Sequence, residues 1–240
     1  MRIYLAVMGL ALAGSAFAKD DVEISPATLQ ADFDSISEDL IAAVDYKAVV
    51  PSEATGLLGF GVGLILNYTP VDDKDAWNRA TGGSANIDAL GLVGIGVTKG
   101  LPAGFDLGVF YSEVPGTNVS LFGGEVRYAL LKGGMASPAI AIRGSYSKVS
   151  GIDSFDVSSK SIDISISKGF AFVTPYAGVG YVDGEADPTG AFVLDKSEVK
   201  KTKLYAGSRF SLGLMELTPE IEKIGDNTMF NLRIGFSFSL

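Results

Sequence analysis

The chain has 240 residues, of which 47% are hydrophobic and 30 are glycine, and its formal net charge is −9. Such an acidic composition argues against nucleic-acid binding, because phosphate contacts need clustered lysine and arginine. The sequence contains no cysteine and no histidine, which excludes a disulfide framework and metal sites built on either residue.

The first 18 residues predict a secretory signal peptide. Arg2 supplies the positive charge, residues 3–12 form the apolar stretch, and Ala16-Phe17-Ala18 is a small-residue cleavage site. We therefore expect residues 1–18 to be removed on export and the mature chain to begin near Lys19.

The next segment, 19–56, predicts an amphipathic helix over about 26–44 in the periplasm. Ser25-Pro26 is typical of an N-cap followed by proline in the first helical turn. Apolar side chains then recur at helical spacing, at Leu29, Phe33, Ile36, Leu40 and Val44. This apolar stripe must be covered by the barrel at its periplasmic mouth or in its lumen, by the membrane surface, or by a partner. The acidic character of the helix disfavours a membrane surface, whose helices are usually basic, and favours docking at the mouth or in the lumen.

From Leu57 to Leu240 the sequence is a series of ten segments in which apolar residues alternate with small or polar ones. The last segment shows the pattern clearly, because Phe230, Leu232, Ile234, Phe236, Phe238 and Leu240 share one face. Beyond the signal peptide, no apolar run approaches the ~18 residues of a membrane helix. The fold class predicted for 57–240 is therefore all-β, an antiparallel up-and-down transmembrane β-barrel of about ten strands.

Connections and aromatic residues support this prediction. The two longest connections, 69–85 and 183–199, both follow odd-numbered strands, as expected for extracellular loops of a barrel that begins in the periplasm. Tyrosine favours the membrane boundary because its ring is apolar and its hydroxyl needs a polar partner. The predicted outer girdle comprises Tyr68, Tyr111, Tyr146 and Tyr181, and the predicted inner girdle comprises Phe105, Tyr128, Phe210 and Phe238.

The last strand resembles the assembly signal of bacterial outer-membrane β-barrel proteins. Gly235, Phe238 and Leu240 occupy its glycine and hydrophobic positions, whereas Ile234 stands where a polar residue is usual and the chain ends in leucine where phenylalanine is commonest. The resemblance covers this strand and the general barrel pattern of the small porin-like class, and it identifies no named family. It implies a Gram-negative outer membrane with its lipid and lipopolysaccharide, and barrel-assembly machinery and periplasmic chaperones as partners.

Charged residues on the opposite face of the strands are the candidates for lining the lumen. They are Asp106, Glu125, Arg127, Arg143, Asp163, Lys203, Arg209, Glu216, Glu220, Glu222 and Arg233. They could form ion pairs that fill a narrow barrel, or rings of charge in a pore that selects small solutes. The acids of the ninth strand exceed their local basic partners, which is compatible with a cation-preferring lining.

Catalysis is not expected. The serines lack a histidine base, and in Ser167-Lys168 the lysine is better explained as a strand end at the headgroup level. In the stretch Asp72-Asp73-Lys74-Asp75 an oxygen-only calcium site is less favoured than a solvated acidic loop. The sequence therefore predicts no enzyme, no cofactor and no metal.

Three functions remain open from the sequence. The first is a porin-like conduit for small solutes, gated or plugged by the N-terminal helix. The second is a structural barrel with a closed lumen, whose loops 69–85 and 183–199 meet an extracellular partner. The third is a soluble secreted ligand-binding β-barrel, which the tyrosine pattern and the terminal strand disfavour.

Overall fold

The computed structural model describes Ser25 and residues 28–82, 87–134, 137–189 and 194–238. The predicted signal peptide, Pro26, Leu240 and parts of the two predicted long loops lie outside the described residues.

The described chain forms a closed antiparallel barrel of ten strands, preceded by a helix, which confirms the predicted fold class. Each strand pairs with its neighbours in sequence, and the first strand closes the barrel on the last, with Leu66 opposite Leu232. The helices are α1 (Gln30–Val44) and α2 (Lys74–Ala80). The strands are β1 (Phe60–Pro70), β2 (Ala89–Gly100), β3 (Phe105–Glu113), β4 (Ser120–Lys132), β5 (Ala139–Ser150), β6 (Phe155–Ser167), β7 (Val173–Pro188), β8 (Ser197–Leu212), β9 (Met215–Ile224) and β10 (Asn227–Phe238).

The exterior of the barrel is apolar and its interior is polar. In β1, Phe60, Val62 and Tyr68 are exposed on the outside, whereas Asn67 and Thr69 are buried inside. Similar exposed rows of leucine, isoleucine, valine and aromatic residues follow the other strands. An apolar surface of this extent is a lipid-facing surface, and it argues against the soluble secreted barrel. Neither helix of the described chain is long and apolar enough to cross a membrane.

The two ends of the barrel differ. The outer end carries the connections that follow odd-numbered strands, including 71–88, which contains α2, and 189–196. The inner end carries the connections 101–104, 133–138, 168–172 and 213–214.

The hairpin of β7 and β8 projects further than the sequence pattern indicated. These strands remain paired up to Ala186 and Ser197, so much of the predicted loop 183–199 is sheet. Its outward positions carry charged residues such as Asp183. The apolar alternation that marks a membrane strand in the sequence is therefore missing from this part of the hairpin.

The helix α1 lies inside the lumen, in its outer half. It begins at Gln30, later than the predicted start near 26. Phe33 and Ile41 are fully buried, and the Phe33 ring meets that of Phe155 edge-on at 5.7 Å. A Cβ atom on Gly184 would lie 2.3 Å from Cγ2 of Ile41. The wall is therefore shaped to the helix by a residue without a side chain.

After Val44 the chain descends through the lumen and reaches the inner end, where β1 begins. Ser147 in the wall donates a hydrogen bond to the Val44 carbonyl (2.6 Å), and Lys99 near the inner end donates to the Leu57 carbonyl (2.7 Å). We call residues 28–56 the plug. The structure places this segment within the barrel.

Candidate functional site: the plugged lumen

At the outer end, the buried carboxylate of Asp39 on α1 is held by three donors. The indole nitrogen of Trp77 on α2 donates at 2.7 Å, the backbone nitrogen of Asp72 at 3.1 Å and the side-chain nitrogen of Asn227 at 2.5 Å. Burial raises the pKa of Asp39, and the three hydrogen bonds oppose that rise. One carboxylate thus joins the plug to the connection 71–88 and to β10.

Two further contacts join the start of α1 to the outer connections. Arg79 on α2 binds the Asp32 carboxylate with two of its nitrogens, the shorter distance being 2.7 Å. Gln30 exchanges two hydrogen bonds with the backbone of Asp195, at 2.8 and 3.1 Å. The first turns of the plug are therefore held by both 71–88 and 189–196.

Midway down the lumen, plug and wall alternate in charge. Asp45 on the plug pairs with Lys203 (2.6 Å), Lys203 pairs with Glu222 (2.9 Å), and Glu222 pairs with Lys47 on the plug (2.8 Å). All four side chains are almost completely buried. Ser159 also donates to the Asp45 carboxylate (2.9 Å). Each buried charge has an opposite charge in contact, as burial requires.

A second charged cluster belongs to the wall. Arg143 Nε lies 3.3 Å from Glu125 and 3.6 Å from Asp163, whose carboxylate accepts a hydrogen bond from the Tyr205 hydroxyl (2.6 Å). Neither oxygen of Glu125 has a hydrogen-bond partner among the described residues. The cluster is held by ion pairs within the wall, with no ion pair to the plug among the described residues.

The lower plug is bound mainly through hydroxyl groups and backbone atoms. Ser52 donates from its hydroxyl to Ser165 (2.8 Å) and from its backbone nitrogen to Ser167 (3.1 Å). Arg127 binds both Asp106 (2.9 Å) and the carbonyl of Pro51 (2.8 Å). These are contacts that water could replace without leaving a buried charge unpaired.

Near the inner end, a cavity of about 230 Å³ separates the lower plug from the wall. Arg209 binds Glu53 of the plug (2.5 Å), but its Nε stands 3.5 Å from Glu216. Arg233 stands 4.0 Å from the same carboxylate. The packing is looser here than around α1.

The structure places the predicted site residues as follows. The eleven lumen-lining candidates point inwards, namely Asp106, Glu125, Arg127, Arg143, Asp163, Lys203, Arg209, Glu216, Glu220, Glu222 and Arg233. The girdle residues Tyr68, Tyr111, Tyr146, Tyr181, Phe105, Tyr128 and Phe238 are exposed on the outside, and Phe210 is half-buried. In the predicted assembly signal, Gly235 lies in β10 and Phe238 pairs with Phe60.

Sequence reasoning missed the residues of the plug and of α2. Lys47 supplies a positive charge for Glu222 in the acidic ninth strand. The excess of acidic residues in that strand was the signal that a basic partner lies elsewhere in the chain. In the acidic stretch 72–75, Asp73 caps α2 through the backbone nitrogen of Ala76 (2.9 Å), and the described residues contain no cluster suited to a metal ion.

No family model matches the chain, and no curated protein matches its sequence. Similar solved structures include the N-terminal β-barrel domain of Pseudomonas aeruginosa OprF, at 10% identity over 76% of this chain and 99% of that chain, with a TM-score of 0.37. They also include the KdgM porin (9% identity, 74% and 99% coverage, TM-score 0.39) and Neisserial surface protein A (10% identity, 76% and 97% coverage, TM-score 0.32).

The chain is thus similar to bacterial outer-membrane β-barrel proteins as a general class, with no specific family.

Proposed function

We propose that this protein is an outer-membrane conduit for small solutes that is closed by its own plug. The observation that carries the proposal is that residues 28–56 run through a polar lumen from the outer to the inner end. A lumen lined by charged residues suits water and small polar solutes once the plug has moved.

The shape of the wall supports a removable occupant. A Cβ atom on Gly108 would lie 2.7 Å from the Tyr46 hydroxyl of the plug, and the wall also makes room for Ile41 at Gly184. A barrel that was closed for structural reasons could instead fill its lumen with side chains of its own strands, as eight-stranded barrels do. Here the wall leaves space, and a separate segment fills it.

The second candidate is a closed barrel that binds an extracellular partner. The observation in its favour is the β7–β8 hairpin, which stays paired for several residues beyond Tyr181, to Ala186 and Ser197. Its outward face carries exposed charged residues, including Asp183 and Lys200. These residues extend beyond the tyrosine that we assign to the membrane boundary.

We propose no catalytic role for the chain. Ser167 accepts a hydrogen bond from the Ser52 backbone (3.1 Å), and Lys168 donates to the carbonyl of Gly134 (2.9 Å). The residues of the suggested Ser–Lys pair are thus engaged in contacts that hold the plug and a connection. Membrane lipid, lipopolysaccharide and the assembly machinery remain the proposed partners.

A reversible covalent lock tests the conduit. The hydroxyls of Ser52 on the plug and Ser165 in the wall are 2.8 Å apart, and the chain has no native cysteine. In Ser52→Cys/Ser165→Cys, oxidation should fix the plug in the lumen. We expect single-channel openings in planar bilayers to disappear on oxidation and to return with reductant.

The matched control is Ser145→Cys/Ser161→Cys, whose hydroxyls are 2.7 Å apart and both belong to the wall. Oxidation of this pair should leave the openings unchanged. If the reduced plug-lock protein shows no openings at any voltage, the conduit proposal is wrong and the closed barrel stands.

A further inference from the structure

We propose that the plug enters the barrel from the outside of the cell and is held there by a latch that also controls its release. The latch consists of Trp77 and Arg79 on α2 together with Asp195, and it grips Asp39, Asp32 and Gln30 of the plug. The orientation part of this proposal stands without conduction, whereas the control of release rests on the proposed function.

The direction of the plug follows from its two ends. At the outer end, the Thr28 hydroxyl lies 3.4 Å from the Ala80 carbonyl of α2, and Leu29 is 67% exposed. At the inner end, the chain leaves the lumen at Leu58, which is 64% exposed. The plug therefore crosses the lumen once, with its N-terminal end beside α2.

The outer end is assigned to the cell surface by its connections. The segment 71–88 is the longest connection between strands, and β7 and β8, which flank 189–196, project furthest. In barrels of this kind the long loops are extracellular and the short turns are periplasmic. Leu29 and α2 are thus expected to face the external medium.

The latch is the part of the plug's surroundings that is free to shift. Every strand of the closed barrel is hydrogen-bonded on both edges, so the wall cannot move locally without loss of ladder bonds. In contrast, α2 lies in a connection outside the sheet. Arg79 is 55% exposed while its partner Asp32 is 9% exposed, so the ion pair can be reached from the medium.

Another ion pair on α2 provides an internal comparison. Lys74 pairs with Asp88 at 2.5 Å, and both residues belong to 71–88. This pair stabilises the connection without touching the plug. Loss of Lys74 should therefore leave the plug in place, whereas loss of Arg79 should loosen it.

Orientation is tested with single cysteines in a chain that has none. Leu29→Cys and Leu58→Cys are matched in exposure and lie at opposite ends of the lumen. The probe is a maleimide polymer of ~5 kDa, which is too large for narrow pores. It should label Leu29→Cys in intact cells, and it should label Leu58→Cys only after the outer membrane is permeabilised. Labelling of Leu58→Cys alone in intact cells would overturn the proposal.

Control by the latch is tested in planar bilayers. We expect Arg79→Ala to raise the opening frequency about threefold, as for loss of a partly exposed ion pair, and Trp77→Phe to raise it about tenfold, since it leaves the buried Asp39 with an unmet hydrogen bond. Lys74→Ala should match the unmodified protein.

The outcomes separate the two proposals. Equal opening frequencies in Arg79→Ala, Trp77→Phe and Lys74→Ala would overturn control by the latch while the conduit stands. Absence of openings in every variant would overturn the conduit and with it the control by the latch, and the cysteine labelling would still decide the orientation.

Discussion

The outer and inner halves of the plug are held by different forces. Around α1, Phe33 and Ile41 are fully buried against the wall, as apolar residues are in the core of a soluble protein. Below Val44 the chain is irregular, and although Tyr46 and Val49 are still buried, ion pairs and hydroxyl groups join it to the wall, with a cavity beside Glu53. The plug thus combines a helical half seated by apolar packing with a half joined to the wall mainly by polar contacts.

This difference assigns separate roles to the two halves. Apolar packing and the latch determine how firmly the outer half is seated. The polar contacts below it keep the wall charges satisfied while the plug is in place, and water can take over several of them when it leaves. The ion pairs midway down the lumen, Asp45–Lys203 and Lys47–Glu222, lie where the two kinds of contact meet. Their loss should weaken the seating of the plug most.

The largest effect is expected for Lys47→Met. It removes one partner of the fully buried pair with Glu222, in which both side chains are 1% exposed, and loss of one partner of such a pair costs about 3 kcal/mol or more. We expect the free energy of releasing the plug to fall by this amount. Native-state hydrogen exchange of the α1 amides in lipid nanodiscs measures it.

The control for Lys47→Met is Lys200→Met, which breaks the exposed pair with Glu198 (2.9 Å) and should leave the exchange of the α1 amides unchanged, because solvent screens a pair of this kind. Similar exchange rates in the two variants would show that the middle ion pairs do not hold the plug.

A smaller effect is expected for Gly184→Val. The added side chain would overlap Ile41, whose Cγ2 lies 2.3 Å from the Cβ position, and overpacking of this kind costs about 1–3 kcal/mol. The outer half of the plug should loosen, and emission of the single tryptophan, Trp77, should shift to the red as its indole meets water. Gly144→Val adds the same side chain on the outside, where nothing lies within 4 Å, and an equal red shift there would contradict the account.

The smallest effect is the pH dependence contributed by Asp39 on α1. Because burial raises the pKa of Asp39 in the seated plug, the seated state binds the proton more tightly than the released state does. Seating should therefore strengthen as the pH falls through the raised pKa, until the ordinary value of 3.8 is passed.

The variant Asp39→Asn isolates that contribution from the other acids. We expect the urea midpoint of the plug transition, followed by Trp77 emission, to rise with acidity more in the unmodified protein than in Asp39→Asn. An identical pH profile for both proteins would show that Asp39 does not titrate as the plug is seated or released.

The barrel could be predicted because lipid imposes a strict rule on the sequence. A strand with lipid on one side must show apolar residues at every second position, and Phe230 to Phe238 shows this directly. The rule ends where the strands leave the membrane. In β7, outward Asp183 alternates with inward Val182 as regularly as before, but the outward residue is no longer apolar.

The plug could be predicted only in part. An amphipathic stripe requires a covering surface without specifying which surface, so α1 was foreseen as a helix but not its place in the outer half of the lumen. The segment after Val44 has no period of its own. Its register is set by partners distant in sequence, such as Lys203 for Asp45 and Glu222 for Lys47, and these pairings cannot be read from local spacing.

The central claim is that the chain's own N-terminal segment fills the barrel in this register, and cross-linking in native membranes tests it most directly. In Ser52→Cys/Ser165→Cys, whose hydroxyls are 2.8 Å apart in the native protein, mild oxidation should join the two positions, and mass spectrometry of the digested protein should recover the linked peptides. Ser52→Cys/Ser147→Cys should remain unlinked, because Ser147 bonds the plug at Val44. Absence of the first link, or equal yields of both, would contradict the account.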